Sequence, residues 1–67
     1  MNMKELKRRL DVKATYFWEK STGTGYKLVN AFTLKTVTGA ATRLDAMKIT
    51  KTLTDLGYNV AKLEEQF

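Results

Sequence analysis

The residues best suited to chemistry lie together in the stretch EKSTGTGYKL, from Glu19 to Leu28. Its glycines, hydroxyl side chains and lysines resemble the parts of a loop that cradles phosphate through backbone amides. Such a loop needs the spacing G-x-x-x-x-G-K-[ST] and leads from a strand into a helix. Here Lys20 stands in place of the first glycine, Tyr26 separates the second glycine from the next lysine, and Leu28 replaces the hydroxyl residue that would hold magnesium. The spacing therefore favours a turn between two strands over a nucleotide site. A loop that contacts a nucleic-acid backbone is a lesser alternative.

The remaining polar residues do not predict catalysis. The 67-residue chain contains no histidine and no cysteine. The commonest general base near neutral pH, the thiolate nucleophile and the commonest zinc ligands are therefore missing. No pair of carboxylates has a convincing arrangement for acid–base chemistry, and Ser21 has no histidine to activate it. We predict that the chain is not an enzyme and holds neither a metal nor a cofactor.

Charge is the strongest signal in the composition. Twelve lysines and arginines oppose seven acidic residues, which gives a formal net charge of +5. The excess is uneven, because residues 1–54 carry +7 and residues 55–67 carry −2. A basic body of this kind indicates a polyanionic partner such as nucleic acid. The alternatives are that the charge only keeps a small protein dispersed, or that it meets an acidic protein.

Length and hydropathy bound the class of protein. A chain of 67 residues with 43% hydrophobic content predicts one small globular domain over residues 1–67. No apolar run resembles a signal-peptide core, and none approaches the roughly 18 apolar residues of a membrane span. The absence of cysteine also favours a reducing compartment. We therefore expect a cytoplasmic protein with no membrane partner.

The first half of the chain predicts a helix followed by a hairpin. Apolar residues at helical spacing predict a helix over about residues 3–10; they are Met3, Leu6 and Leu10. Residues 12–20 and 26–37 are rich in β-branched and aromatic types and predict two strands. Both glycines of the intervening STGTG are expected to supply the positive φ of the reversal. Asn30 interrupts the apolar face of the second strand, so a bulge, a bend or an exposed edge is expected near it.

The second half predicts a longer helix and a last strand. Thr42 and Asp45 resemble a capping box, and Gly57 stands where a left-handed cap ends a helix, so the helix spans about residues 43–56. Its apolar face follows at spacings of three and four: Ala46, Ile49, Leu53 and Leu56. Residues 58–63 predict a short third strand.

These elements follow one another in the order α-β-β-α-β. The predicted fold is α+β, a two-layer sandwich in which a three-stranded antiparallel sheet carries both helices on one face. The spatial order of the strands is expected to be 2-1-3, with the third strand antiparallel to the first. The expected core consists of large apolar residues: Tyr16, Trp18, Phe32, Leu34, Ile49, Leu53 and Val60.

The uncovered face of this sheet is the predicted binding surface. Alternation along the two hairpin strands places there Lys13, Thr15, Phe17, Lys27, Val29, Ala31, Thr33 and Lys35. Lysines suit contacts to phosphate, and Phe17 suits stacking on an unpaired base. The first helix adds two arginines. The predicted nucleic-acid-binding residues are Arg8, Arg9, Lys13, Phe17, Lys27, Thr33 and Lys35.

The sequence thus favours a small regulatory or accessory protein that binds nucleic acid. DNA is favoured over RNA, and the RNP aromatic motif of RNA-recognition domains is absent. An ordinary solvated sheet face explains the same residues. The alternative function is a protein-interaction module, an inhibitor or adaptor or a homodimer, with Leu44, Met47 and Phe67 as its apolar contact. Otherwise Leu44 and Met47 are expected to be covered by the first helix or by loops, and Phe67 to belong to a frayed end.

Overall fold

The computed structural model describes residues 3–61 as two helices and four strands. In chain order they are α1 (Met3–Arg9), β1 (Thr15–Lys20), β2 (Tyr26–Asn30), β3 (Thr36–Ala40), α2 (Arg43–Asp55) and β4 (Asn59–Val60). The predicted α+β class is confirmed, with four strands where three were expected. Residues 62–67, which include Phe67 and the end of the predicted last strand, lie outside the described residues. Within residues 3–61, no helix has the length and apolar character needed to cross a membrane.

The strands form one mixed sheet in the spatial order β3-β2-β1-β4. β2 pairs antiparallel with both β1 and β3. The last strand lies beside β1 as predicted, but it runs parallel to β1 and not antiparallel. The additional strand β3 is the cause of this difference. It reverses the chain once more, so that α2 starts from the opposite end of the sheet and β4 begins at the same end as β1.

The additional strand arises because a turn at residues 31–35 divides the predicted strand 26–37. Asn30 starts this turn, which we call the β2–β3 turn. Its side-chain Oδ1 accepts hydrogen bonds from the amides of Phe32, at 2.8 Å, and Thr33, at 3.1 Å. These bonds bend the backbone away from β geometry, as an asparagine at the start of a turn does. The bend expected near Asn30 is confirmed, and the continuous second strand is wrong.

The core lies between the two helices and one face of the sheet. Four of the expected core residues are buried: Tyr16, Trp18, Leu53 and Val60. Ile49 is half-buried and packs against them. Phe32 and Leu34 were wrongly assigned to the core, since the β2–β3 turn leaves them 70% and 72% exposed. The cluster is completed by Leu6, Ala14, Tyr26, Leu28 and Ala46.

One buried polar side chain joins α2 to the sheet. Thr50 lies on the buried face of α2 and is 7% exposed. Its hydroxyl donates to the carbonyl of Ala46 at 2.9 Å and accepts from the indole Nε1–H of Trp18 at 2.7 Å. A buried indole N–H normally has a partner of this kind. The bond joins α2 to β1 within the core, and the apolar spacing that predicted the helix face did not reveal it.

The ends of α2 follow the predicted signals. The hydroxyl of Thr42 accepts from the amide of Asp45 at 3.2 Å, which confirms the N-terminal cap. Gly57 has a φ of +97° directly after the C-cap residue Leu56. Leu56 was expected on the apolar face, but it is 46% exposed because the helix ends at Asp55 and the chain turns away.

The STGTG stretch forms the predicted turn between β1 and β2. The amide of Ser21 donates to the carbonyl of Gly25 at 2.9 Å, and the amide of Gly25 donates to Thr22 at 3.2 Å. Gly23 has a φ of +62°, but Gly25 does not have a positive φ, so that part of the expectation is wrong. Gly25 instead permits close approach, because a Cβ there would lie 3.3 Å from the Thr22 carbonyl oxygen. The loop leads into strand β2 and not into a helix.

Candidate nucleic-acid interface

The uncovered face of the sheet is less basic than alternation predicted. Lys27 lies on this face as expected, opposite Glu19 of β1. Its Nζ forms an ion pair with Glu19 Oε2 at 3.4 Å, and both side chains are partly exposed. Among the described strand residues, Lys27 is the one lysine on this face. The pair is therefore close to neutral and offers little attraction to a polyanion.

Phe17 also lies on the uncovered face, at its centre. It pairs with Val29 of β2, and Val29 pairs in turn with Thr36 of β3. Phe17 is half-buried, while Val29 is 3% exposed although the helices cover the opposite face. Alternation placed Val29 on this side but did not predict its burial. Phe17 and Val29 form a small apolar patch in the sheet, so only part of the Phe17 ring is available for stacking.

Three of the predicted binding residues do not lie on the sheet. Lys13 belongs to the turn between α1 and β1, where its amide donates to Asp11 Oδ1 at 2.9 Å. Thr33 and Lys35 belong to the β2–β3 turn, where the amide of Lys35 donates to Thr33 Oγ1 at 3.3 Å. Their predicted place on the sheet face is wrong, because strand alternation does not apply to residues in turns.

These two turns and the end of α1 meet at the end of the sheet where β1 begins. The amide of Ala31 donates to the carbonyl of Thr15 at 2.8 Å, which joins the β2–β3 turn to the start of β1. Arg9 Nη1 donates to the carbonyl of Val37 at 3.4 Å, which joins the end of α1 to the start of β3. Four predicted cations therefore belong to segments that meet at this end, and we call them the basic end: Arg8, Arg9, Lys13 and Lys35.

The cations of the basic end are available to a partner. All four side chains are exposed, and within residues 3–61 none of them forms an ion pair. Two lysines elsewhere are already engaged, since Lys27 pairs with Glu19 and Lys20 lies 4.7 Å from the centroid of the Tyr26 ring. The basic end thus combines four cations from separate segments that form no ion pair within residues 3–61, together with one carboxylate, Asp11, in the same turn as Lys13.

The β2–β3 turn places two large apolar side chains beside these cations. Phe32 and Leu34 are more exposed than any other large hydrophobic residue of the described chain. Leu34 also has a φ of +62°, a left-handed conformation that costs a non-glycine residue about 1–2 kcal/mol. The exposure of the pair and the backbone strain at Leu34 have no signal in the sequence pattern, which placed both residues in a strand.

The exposed face of α2 carries a second pair of apolar residues. Leu44 and Met47 lie one helical turn apart and are 60% and 38% exposed. The expectation that the first helix or loops would cover them is wrong, since both side chains are exposed. Phe67, the third member of the predicted apolar contact, lies outside the described residues.

Comparison with known proteins assigns no family to the chain. No family model, curated protein or solved structure matches it. A functional assignment therefore rests on the geometry of the described residues, above all on the basic end and on the β2–β3 turn.

Proposed function

We propose that the chain is a small DNA-binding protein of a regulatory or accessory kind, which contacts the phosphate backbone through the basic end. The observation that carries this proposal is the convergence of four exposed cations from α1 and two turns at one end of the sheet. Contacts between such cations and phosphates release counterions and supply most of the sequence-independent affinity for DNA. Lysine and arginine contacts of this type also set the orientation of a protein on the duplex.

The proposed binding surface lies at the end of the sheet where β1 begins, and not on the sheet face that the sequence predicted. Lys27 contributes less than the sequence suggested because Glu19 compensates its charge. Phe17 and Thr33 flank the surface, one on the sheet and the other in the β2–β3 turn. DNA is preferred over RNA because the grooves of B-form DNA admit a protruding turn, whereas the major groove of A-form RNA is deep and narrow. A cytoplasmic location and the lack of catalytic activity stay predictions from the sequence.

Fluorescence anisotropy with a labelled DNA duplex at several salt concentrations tests this proposal. Four phosphate contacts predict that the logarithm of the affinity falls with the logarithm of the salt concentration with a slope of about −3.6. Replacing Lys13 and Lys35 together by glutamine removes two of these contacts. The affinity should then fall, and the slope should become shallower by about 1.8.

A matched control separates a specific surface from general charge. Lys48 and Lys51 are exposed on α2, which contributes no residue to the basic end, and their replacement by glutamine changes the net charge by the same amount. This variant should keep most of the affinity and the slope of the parent. Equal losses in the two double variants would contradict a defined site. No detectable binding at low salt would reject DNA binding altogether.

The exposed pair on α2 supports a second candidate function, a protein-interaction module. Leu44 and Met47 have the spacing with which an amphipathic helix enters a groove on a partner or on a second copy of the chain. Sedimentation of the full chain over a range of concentrations tests the homodimer. If the parent chain forms a dimer that Leu44→Glu dissociates, and if it does not bind DNA, this function is favoured over the first.

A further inference from the structure

The β2–β3 turn exposes more apolar surface than folding requires. Phe32 and Leu34 are 70% and 72% exposed, and they are separated by a single residue. Water contact with side chains of this size is unfavourable, so the turn does not gain from them in the isolated domain. Contiguous exposed apolar side chains mark surfaces at which a partner binds.

The turn is ordered before any partner arrives. Beyond the two bonds to its side chain, Asn30 accepts a backbone bond from the amide of Leu34 at 2.7 Å and donates one to the carbonyl of Lys35 at 3.0 Å. Both apolar side chains are thus held on a hydrogen-bonded backbone. A partner would meet a preformed projection and would not need to order a flexible loop, which lowers the entropic cost of binding.

The backbone at Leu34 points to a role for its side chain outside the fold. A φ of +62° is a conformation in which glycine or asparagine is normally found. Leucine is strained there and, being exposed, recovers little through packing. Strain of this kind persists where the surrounding backbone enforces it, and it concentrates at functional sites.

We infer that Phe32 and Leu34 form a wedge that inserts between neighbouring base pairs of duplex DNA, while the basic end neutralises the flanking phosphates. This inference rests on the proposed function. The partner follows from charge complementarity, because Lys35 lies in the same turn as the wedge and Lys13 in the adjoining one. Proteins insert phenylalanine and leucine side chains from the minor groove between neighbouring base pairs. The insertion unstacks the bases and kinks the duplex.

A duplex that carries 2-aminopurine and a pair of terminal dyes tests the wedge. Binding of the parent chain should raise the 2-aminopurine fluorescence through unstacking and increase energy transfer between the ends through bending. Phe32→Ala should abolish the 2-aminopurine signal and weaken binding by about tenfold, at the lower part of the roughly 5- to 150-fold range that aromatic–base stacking contributes. Its salt slope should equal that of the parent, because no charge is removed.

Two further variants test the second wedge residue and provide a control outside the turn. Leu34→Gly removes the second side chain at a backbone conformation that glycine adopts freely, so the fold is retained and binding should again weaken. Leu44→Ala truncates a comparably exposed side chain on α2 and should change neither the affinity nor the fluorescence. The unfolding midpoints of Phe32→Ala and Leu44→Ala should both match that of the parent, since both residues are exposed.

The outcomes separate the wedge from the proposed function. If the parent binds the duplex with a steep salt dependence but Phe32→Ala binds equally well and no unstacking occurs, the wedge is rejected and the basic end stands. If the parent binds no duplex at all, both are rejected. Tighter binding of single strands that Phe32→Ala weakens would replace the wedge by stacking on unpaired bases. Self-association that Phe32→Ala abolishes would assign the turn to a protein pocket.

Discussion

Replacing Asn30 by alanine removes the side chain that organises the β2–β3 turn. The Asn30 Oδ1 atom accepts from the amides of Phe32 and Thr33 at 2.8 and 3.1 Å, and alanine offers neither bond. The backbone bonds of Asn30 to Leu34 and Lys35 remain, so the turn should loosen without being lost. The domain should therefore stay folded but become less stable.

The size of this effect follows from the two lost hydrogen bonds. Each such bond contributes about 0.5–1.5 kcal/mol net, which gives about 1–3 kcal/mol for the pair. The released amides lie in an exposed turn, so water replaces part of what is lost and no buried group is left unsatisfied. A domain of 67 residues has a total unfolding free energy of roughly 3–10 kcal/mol. The melting temperature should fall by roughly 4–24 °C.

Urea and thermal denaturation followed by the fluorescence of the buried Trp18 measure this loss. Asn30→Asp is the matched control, because a carboxylate oxygen in the same place can accept both amide bonds. At neutral pH this control should retain most of the stability of the parent. If Asn30→Ala and Asn30→Asp unfold at the same midpoint, the side chain does not hold the turn and our account of the divided strand is refuted.

Three other substitutions test the core, the end of α2 and strand β3. Leu53→Ala should lower the free energy of unfolding by about 2–5 kcal/mol because Leu53 is fully buried; an equal change in the exposed Lys51→Ala would show that the buried face of α2 is misassigned. Gly57→Ala should cost about 1–2 kcal/mol because Gly57 has a φ of +97°. In Gly39→Ala the added Cβ meets only ordinary contact, 3.5 Å from the Tyr26 carbonyl oxygen, so the urea midpoint should hold or rise.

The basic end explains how a modest net charge can serve binding. A formal charge of +5 spread evenly over the surface would attract polyanions weakly and without orientation. Gathering Arg8, Arg9, Lys13 and Lys35 at one end concentrates the field there and directs an approaching duplex to the β2–β3 turn. The acidic residues that offset other lysines, such as Glu19 beside Lys27, leave the sheet face close to neutral.

Local signals in the sequence were sufficient for much of the fold. The cap at Thr42, the glycine at position 57 and the apolar spacing between them define α2 through contacts three and four residues apart. Alternation around Tyr16 and Trp18 correctly identified the buried face of β1. These signals act within one element, so no knowledge of the remaining chain is needed to interpret them.

The division of the second strand could not be predicted because its turn lacks the residues that usually mark a turn. Residues 31–35 contain no glycine or proline, and the left-handed position is occupied by Leu34. Phe32 and Thr33 favour strands by type, so the composition continued the strand through the turn. Asn30 was the single signal of a break, and whether it makes a bulge or a full reversal depends on hydrogen bonds to later residues.

The charge excess is a property of the sequence, but its position is a property of the tertiary structure. Alternation assigned Lys13 and Lys35 to a sheet face, whereas strand pairing shows that both lie in turns. The turns meet because β2 returns antiparallel to β1, which brings the start of β1 and the end of β2 to the same end of the sheet. The bond from Arg9 to Val37 spans 28 residues and adds the end of α1. Contacts over such distances in the chain depend on register and strand direction, which no local pattern encodes.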